Sequence, residues 1–230
     1  MAQGYFVTGT DTHVGKTWAS ASLMRAGVRQ GFRVVGMKPV ASGCEWHEGS
    51  LQNSDALCLL QQGNVALDYA SVNPFAYEPA IAPNFAGIHN PASLEVIKTQ
   101  YEQLASQAEL VIVEGAGGWY SPLSMAFDNA LLAEALAIPV ILVVGIRLGC
   151  INHARLSLAA IQQSKANCCG WIAVRVEPDL PYTQENIAYL RKQLSVPLLG
   201  ILPYLREPDF DKLASAFSIN NHCKINEIKP

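Results

Sequence analysis

Short apolar runs alternate along this chain with longer segments whose apolar residues recur three and four positions apart. The runs predict strands and the longer segments predict amphipathic helices. The predicted strands are 5–8, 33–37, 110–113, 140–144, 170–176 and 197–201, and the predicted helices are 18–30, 53–62, 94–108, 129–137, 152–165 and 184–194. Strands that are apolar at every position lie inside parallel sheets covered on both faces. The alternation therefore predicts an α/β fold with a doubly wound, mostly parallel sheet and helices on both faces.

The 230 residues contain no repeat, low-complexity tract or break in composition, so we expect a single domain spanning 1–230. Segment 73–91 (NPFAYEPAIAPNFAGIHNP) is rich in Pro, Ala and Asn and is interpreted as an ordered loop or lid. In a sheet of this kind, ligands bind at the carboxyl ends of the strands. The residues that follow the predicted strands are therefore the candidates for a site.

Composition and charge remove several classes of function. The net charge is -3 and the basic residues are scattered, which argues against nucleic acid and against a membrane surface as partners. The longest apolar run, 137–146, is half the length needed to cross a bilayer, and the N-terminus has no signal-peptide pattern. Six cysteines without a C-x-x-C pair indicate the reducing cytoplasm. The adjacent Cys168 and Cys169 are interpreted as ordinary residues leading into a strand, with a redox pair as the less favoured alternative.

The stretch VTGTDTHVGKT, at residues 7–17, combines the end of a strand, a glycine turn and the start of a helix. Backbone N–H groups at such a helix start can hold phosphate oxygens. Lys16 would add a charge for the β- and γ-phosphates, and the Thr17 hydroxyl can bind magnesium. Five residues separate Gly9 from Gly15, where the usual phosphate loop has four. A coincidental turn is the alternative, but the flanking strand and helix favour a nucleotide site.

Two charged residues follow the second strand. Lys38 could point at the same phosphates, although a lone lysine at a strand end is more often solvated. Asp55 begins a helix, where it could cap backbone N–H groups or reach a metal, and capping is the simpler interpretation.

Glu114 closes an apolar strand and precedes a glycine-rich turn. A carboxylate at this place is where phosphate-loop proteins keep a magnesium contact, and the glycines let the backbone approach a ligand closely. The stretch GIRLGCINHA at 145–154 opens a helix after the next strand. Cys150 has no histidine partner pattern for nucleophilic work, and His153 is interpreted as packed. Two lysines and two carboxylates at one sheet edge indicate phosphoryl transfer from Mg-ATP, without naming the acceptor.

The stretches YFVTGTDTHVGKT, KPVASG, NSDAL, VEGAGGWYSPLS, PVILVVGIRLGCINHA and PLLGILPYL together resemble the dethiobiotin synthetases. The resemblance extends from Tyr5 to Leu205, nearly the whole chain, and the phosphate loop of that family has the length seen here. It implies a fold of the P-loop NTPase type. It also implies an ATP- and magnesium-dependent cyclo-ligase of biotin biosynthesis, which forms dethiobiotin from 7,8-diaminononanoate (7,8-diaminopelargonate) and CO2 through a carbamate and a mixed anhydride.

The resemblance also implies roles for individual residues. The catalytic residues would be Lys38, Lys16 and Thr12, and the magnesium ligands would be Thr17, Asp55 and Glu114. The ATP-binding residues would be His13, Val14, Gly15, Lys16, Thr17, Trp18, Asp55, Glu114, Gly115, Ala116, Gly117, Val174, Arg175, Pro203, Tyr204 and Leu205. The substrate-binding residues would be Thr12, Ser42, Gly118, Cys150 and Asn152. The family is a homodimer, in which the 150–152 loop contributes to the diamine site across the interface.

Three positions depart from the family pattern. His13 stands in the phosphate loop where glutamate is expected, and Val174 stands where an asparagine usually reads adenine. Asn186 lies near the place of a tyrosine that commonly helps to bind the substrate carboxylate, and whether Tyr182 substitutes for it is left open.

Two other functions compete with the ligase. A partitioning-type switch ATPase shares this branch of folds but carries an extra lysine near the start of its phosphate loop, where this chain has Thr10 and Asp11. A regulatory domain without catalysis would not need to retain both lysines and both carboxylates.

Overall fold

The computed structural model describes residues 2–222 and 224–228, so Cys223 lies outside the described residues. The strands in these residues are β1 (Gln3–Gly9), β2 (Val34–Met37), β3 (Val40–Ser42), β4 (Glu45–His47), β5 (Ser50–Gln52), β6 (Phe75–Tyr77), β7 (Leu110–Gly118), β8 (Val140–Ile146), β9 (Cys168–Arg175) and β10 (Leu198–Leu202). The helices are α1 (Lys16–Arg29), α2 (Ser54–Gln62), α3 (Tyr69–Val72), α4 (Pro83–Ala86), α5 (Leu94–Gln107), α6 (Asn129–Leu136), α7 (Cys150–Gln163), α8 (Thr183–Gln193) and α9 (Phe210–Ala214). None of these helices is long and apolar enough to cross a membrane.

Six strands form the central sheet in the order β10-β9-β8-β1-β7-β2. Every neighbouring pair in it is parallel, which confirms the predicted doubly wound α/β class. Strand β1 lies in the interior of the sheet, with β7 on one side and β8 on the other. After β1, the chain adds β2 and β7 on one side of β1 and then β8, β9 and β10 on the other side. The loop after β1 therefore lies at the point where the strand order reverses. Such a point is the usual ligand crevice of an open α/β sheet.

The side chains of β1 alternate between two hydrophobic clusters, one on each face of the sheet. Phe6 belongs to a cluster that includes buried residues of α5, α6, α7 and α8. Tyr5 and Val7 belong to a second cluster that includes buried residues of α1, α2 and α9. Because successive side chains of a strand point to opposite faces, both faces of the sheet are covered, and this explains why the strands are apolar throughout.

Six of the described helix starts fall into two groups. The side chains of Asn53, Ser93, Asp128 and Asp209 accept hydrogen bonds from first-turn N–H groups of α2, α5, α6 and α9. Helices α1 and α7 instead begin after glycines in the left-handed region, Gly15 and Gly149, each with φ 88°. Neither glycine supplies a side-chain cap, and neither helix has an acidic residue in its first turn. In both helices the N-terminal backbone N–H groups therefore have no anionic partner from the cap or from the first turn itself.

The main strands and helices lie where the pattern predicts them, within a few residues, but four details differ. Segment 73–91 is not only a loop, because it contains β6, which pairs with β3, and the short helix α4. The hairpin of β4 and β5 was not predicted. Strand β7 runs through Glu114 to Gly118 instead of ending at 113. The residues predicted to form the 150–152 loop form the first turn of α7.

Candidate functional site

The phosphate loop, residues 9–17, leaves the carboxyl end of β1 and turns into α1. His13 has φ 56°, a left-handed conformation that costs a residue with a Cβ about 1–2 kcal/mol. Its side chain is exposed, so the backbone conformation is its structural contribution. Lys16 is buried and its Nζ donates to the carbonyl oxygen of Asp11 at 2.8 Å. The ammonium is therefore held against its own loop.

Lys38 lies between two carboxylates. Its Nζ is 2.6 Å from Oε1 of Glu114 and 3.0 Å from Oδ2 of Asp55. Lys38 is 4% exposed and Glu114 is completely buried. The interpretation of Lys38 as a solvated strand-end lysine is therefore wrong, because the end of β2 is covered and the Lys38 ammonium is paired with two carboxylates.

Thr17 and Asp55 complete this group of charges. The Thr17 hydroxyl donates to Oε1 of Glu114 at 2.9 Å. The second oxygen of Glu114, Oε2, is buried without a hydrogen-bond partner among the described residues. Asp55 does not cap α2, since Asn53 accepts the N–H groups of residues 55 and 56, so the capping interpretation is also wrong. With α2 already capped, the Asp55 carboxylate is free to pair with Lys38.

Burial and the local charges together shift three pKa values. Burial, and then the neighbouring Lys38, lower the pKa of Lys16 to about 8. Burial alone would lower the pKa of Lys38, but Glu114 and Asp55 outweigh it and hold that pKa well above its usual value. Burial would raise the pKa of Asp55, but Lys38 and a hydrogen bond from Thr17 lower it. Lys38 thus stays protonated near neutral pH, whereas the Lys16 ammonium, with a pKa of about 8, begins to lose its proton above neutral pH.

The glycine segment after Glu114 is fixed by a residue that the sequence did not single out. Asn129 is completely buried, and its Nδ2 donates to the carbonyl oxygens of Ala116 at 2.7 Å and Gly118 at 2.8 Å. Gly117 has φ 70°, a conformation that favours glycine, and a Cβ placed on it would lie 3.7 Å from Oγ1 of Thr12. The glycine segment therefore lies beside the exposed Thr12 of the phosphate loop.

A second unpredicted contact joins the phosphate loop to the loop after β8. The guanidinium of Arg147 is 2.6 Å from Oδ2 of Asp11. The sequence does contain a signal for a functional role of Arg147, which is a basic residue directly after a buried strand in GIRLGCINHA. Its partner could not be read from the sequence, because 136 positions separate the two residues.

The residues predicted to face the base lie at the ends of β9 and β10. Val174 is 3% exposed, and its Cγ1 lies 2.6 Å from where a Cβ on Gly15 would be, so it packs directly under the phosphate loop. Arg175 donates from its guanidinium to the carbonyl oxygen of Pro178 at 3.1 Å. The predicted segment 203–205 follows β10, and Leu202 is paired with Val174 in the sheet. The two predicted base-binding segments are therefore neighbours.

The remaining predicted substrate residues occupy separate loops at this edge. Ser42 ends β3 and is half-buried, and its carbonyl oxygen accepts from Nδ2 of Asn53 at 3.5 Å. In the first turn of α7, Cys150 is buried and Asn152 is exposed. His153 is exposed as well, so the expectation that it is packed is wrong.

The positions flagged for the substrate carboxylate lie at the start of α8. Tyr182 precedes this helix with φ 58° and is 74% exposed, and its carbonyl oxygen accepts from the N–H of Asn186. The adjacent Cys168 and Cys169 begin β9 as free thiols. Burial raises their pKa values to about 11 and about 12, which disfavours the reactive thiolate form.

The chain is similar over most of its length to proteins of known name. The family model described as an AAA domain matches residues 3–210. A relative from Xanthomonas euvesicatoria pv. vesicatoria (strain 85-10), named ATP-dependent dethiobiotin synthetase BioD, is 46% identical over 217 residues, which cover 94% of this chain and 96% of the relative. A relative of the same name from Xylella fastidiosa (strain Temecula1) is 46% identical over 203 residues, covering 87% of this chain and 90% of the relative.

Two solved structures share the fold at low identity. The septum site-determining protein MinD of Pyrococcus horikoshii OT3, complexed with Mg-ADP, has a TM-score of 0.59 and 15% identity, covering 88% of this chain and 82% of that protein. Cobyrinic acid a,c-diamide synthase from Mycobacterium smegmatis, with bound ADP and magnesium, has a TM-score of 0.59 and 19% identity, covering 94% and 91%. At these identities the likeness extends to the fold alone.

Proposed function

The chain belongs to the ATP-dependent dethiobiotin synthetase family and is an ATP-dependent ligase of biotin biosynthesis, and on that premise we propose which of its residues carry the reaction. The substrates are 7,8-diaminononanoate, CO2 and ATP. The observation that supports the assignment most is the group formed by Lys38, Glu114, Asp55 and Thr17 at the carboxyl edge of the sheet, beside Lys16 in the phosphate loop.

The reaction has three steps. CO2 adds to one amine of the diamine and forms a carbamate. A carbamate oxygen attacks the γ-phosphorus of ATP, the bond from that phosphorus to the bridging oxygen breaks, and ADP leaves. The second amine then attacks the carbonyl carbon of the mixed anhydride, expels phosphate and closes the ureido ring.

The two lysines supply charge for these steps. Lys16 leaves the Asp11 carbonyl and holds the β- and γ-phosphate oxygens, assisted by the uncapped N–H groups at the start of α1. Lys38, which its carboxylate neighbours keep protonated, stabilises negative charge on the transferring phosphoryl group and the carbamate. Catalysis of this kind consists mainly of positioning and charge stabilisation.

The residues around Glu114 fit a magnesium ion. Thr17, Asp55 and Glu114 offer oxygen atoms, which magnesium prefers, and Oε2 of Glu114 is buried without a partner among the described residues. Among the described residues, no group of three or more His, Cys, Asp or Glu side chains could bind a metal, and we expect the nucleotide phosphates to supply further ligands. When bound, the ion neutralises charge on the phosphates.

The N-terminus of α7, the second helix that begins after a left-handed glycine, suits the diamine. We place the substrate carboxylate at the first turn of α7, near Cys150 and Asn152, because uncapped helix N-termini attract anions. Thr12, Ser42 and Gly118 border the diamine and carbamate from the facing loops. We leave open whether Tyr182 or Asn186 also contacts the carboxylate.

The base of the nucleotide lies between the ends of β9 and β10 in this proposal. Val174, Arg175 and the segment 203–205 border it, and Trp18, His13, Val14, Gly15 and Ala116 line the phosphate side. The Val174 side chain has no hydrogen-bonding group, so this side chain can contact a base only through packing.

We further propose a homodimer in the cytoplasm. Leu148, two residues before α7, is 95% exposed, and Leu156 within α7 is 62% exposed. Burying these side chains against a second copy would stabilise a dimer and bring the first turn of α7 to the partner's site. The five described cysteines are free, which suits a reducing compartment.

The test is product formation. Purified protein is mixed with diaminononanoate, bicarbonate and Mg-ATP, and dethiobiotin is sought by mass with one ADP formed per product. Lys16→Ala serves as the inactive control. ATP hydrolysis without dethiobiotin would favour the partitioning-type ATPase, which the presence of Asp11 instead of a lysine and the names of the relatives do not favour.

A further inference from the structure

Asp11 is the meeting point of three contacts in the phosphate loop. Its Oδ1 accepts from the backbone N–H of Thr12 at 2.7 Å, and its carbonyl oxygen accepts from Nζ of Lys16 at 2.8 Å. Its Oδ2 accepts from the guanidinium of Arg147 at 2.6 Å. Arg147 therefore contacts the one residue that fixes both the loop backbone and the phosphate-binding lysine.

Arg147 is also part of the turn that begins α7. Its carbonyl oxygen accepts from the N–H of Cys150 at 3.0 Å, and Cys150 is buried. The strands that carry the two loops are neighbours, and the N–H of Thr10 donates to the carbonyl oxygen of Val143 at 3.0 Å. One side chain, that of Arg147, thus connects Asp11 to the turn that begins α7.

The ion pair is not a major source of fold stability. The side chains of Arg147 and Asp11 are 31% and 50% exposed, and pairs of that kind contribute little to folding. The ion pair instead affects the charge that the phosphate loop presents to the nucleotide. An unpaired Asp11 carboxylate beside the phosphate loop would repel the nucleotide phosphates, and the guanidinium neutralises it.

We propose that Arg147 is a positioning residue that, acting through Asp11, couples the nucleotide site of one protomer to the diamine site that its α7 completes in the partner. When phosphates take Lys16 away from the Asp11 carbonyl, the loop moves and Asp11 carries Arg147 and the first turn of α7 with it. Nucleotide and diamine therefore each increase the affinity for the other, and the coupling is equal in both directions. The diamine half of this inference rests on the proposed function, whereas the effect on nucleotide binding does not.

The experiment measures the Kd for Mg-ADP by calorimetry, with and without saturating diaminononanoate. The variants are Arg147→Gln, Asp11→Asn, the double variant and Arg147→Lys. Arg33→Gln is the matched control, because it breaks a partly exposed ion pair between Arg33 and Glu109. These two residues directly precede β2 and β7, at the end of the sheet opposite to the phosphate loop.

In the wild type, diamine should lower the Kd for Mg-ADP by about fivefold or more, the lower end of common coupling factors. Arg147→Gln should weaken Mg-ADP binding and bring the coupling factor close to one. The double variant should recover Mg-ADP affinity, since the uncompensated charge is gone, but not the coupling. Arg147→Lys, which keeps the charge without the planar fork, should recover part of both. In steady state, Arg147→Gln should raise the KM for both substrates more than it lowers kcat.

Coupling in Arg147→Gln equal to that in Arg33→Gln would overturn the inference, as would a wild type without coupling. If Arg147→Gln does not fold, Asp11→Asn decides, because it removes the same charge pair and keeps the contact with the Thr12 N–H. A wild type that forms dethiobiotin while these variants keep full coupling would overturn the inference and leave the proposed function standing. A wild type that forms no dethiobiotin, with Mg-ADP binding weakened in Arg147→Gln and restored in the double variant, would overturn the proposed function and keep the role of Arg147 at the nucleotide.

Discussion

Replacing Lys38 with alanine should destabilise the fold as well as slow the reaction. The change leaves Glu114, which is 0% exposed, without its ammonium partner. Breaking a buried ion pair on one side costs about 3–5 kcal/mol, because the remaining charge stays buried. A solvated lysine would change the free energy of unfolding by no more than about 0.5 kcal/mol. For a chain of this length, about 2–4 °C of melting temperature per kcal/mol gives a loss of about 6–20 °C.

The assay is thermal unfolding of the wild type, Lys38→Ala, Glu114→Gln and the double variant. The double variant should recover most of the loss, because neither charge is then left unpaired, and the cycle isolates the interaction between the two residues. Lys98→Ala, at an exposed position of α5, is the control for removing a lysine. A Lys38→Ala protein as stable as Lys98→Ala would refute the buried pair.

The rate provides a second measurement on the same protein. At a temperature where Lys38→Ala is fully folded, kcat should fall by roughly a hundredfold, equivalent to about 3 kcal/mol of transition-state stabilisation. An unchanged kcat would remove Lys38 from the catalytic group, whatever its effect on stability.

Three further predictions concern the nucleotide and the assembly. The Lys16 pKa of about 8 predicts that the Kd for Mg-ADP rises between pH 7 and pH 9, because the ammonium loses its proton. The Lys16→Arg variant stays charged and should flatten this rise, whereas a Kd of the wild type that does not change with pH would contradict the prediction. Since Val174 offers no hydrogen bond, GTP and CTP should support kcat/KM within about tenfold of ATP, and Val174→Asn should widen the gap; a preference for ATP above about a thousandfold would show that other groups read the base. If α7 completes the partner's site, mixing Lys16→Ala and Asn152→Ala chains should restore some activity through heterodimers; sedimentation of the active wild type as a monomer would rule this out.

The sheet was predictable because its strands are buried on both faces. The run at 140–144 is apolar at every position, and only strand β8 in the interior of a covered sheet explains it. The pairing of β3 with β6 was not predictable, because three residues are too few to show a period. The end of β7 was misjudged because its glycines have the composition of a turn, although they continue the strand to Gly118.

The site divides in the same way between local and long-range information. The phosphate loop is local, so its residues could be named from one stretch of sequence. The partners of Lys38 and Asp11 could not, because Glu114 and Arg147 lie 76 and 136 positions away and only the fold brings them together. Asp55 was misread as a cap for a local reason, because the extended backbone of Asn53, two positions away, makes Asn53 the residue that caps α2.

The central position of β1 sets the order in which the protein can be completed during synthesis. Strand β1 ends at Gly9, but its two neighbours in the sheet, β7 and β8, end at Gly118 and Ile146. At about 5–20 residues per second, a ribosome needs about 7–30 s to add the stretch between Gly9 and the end of β8. During that time the first strand and the glycine loop are already made but have no sheet to join. The loop after β1 therefore cannot take its place in a nucleotide site until both neighbouring strands have been made, and this long-range pairing is a late step of folding during synthesis.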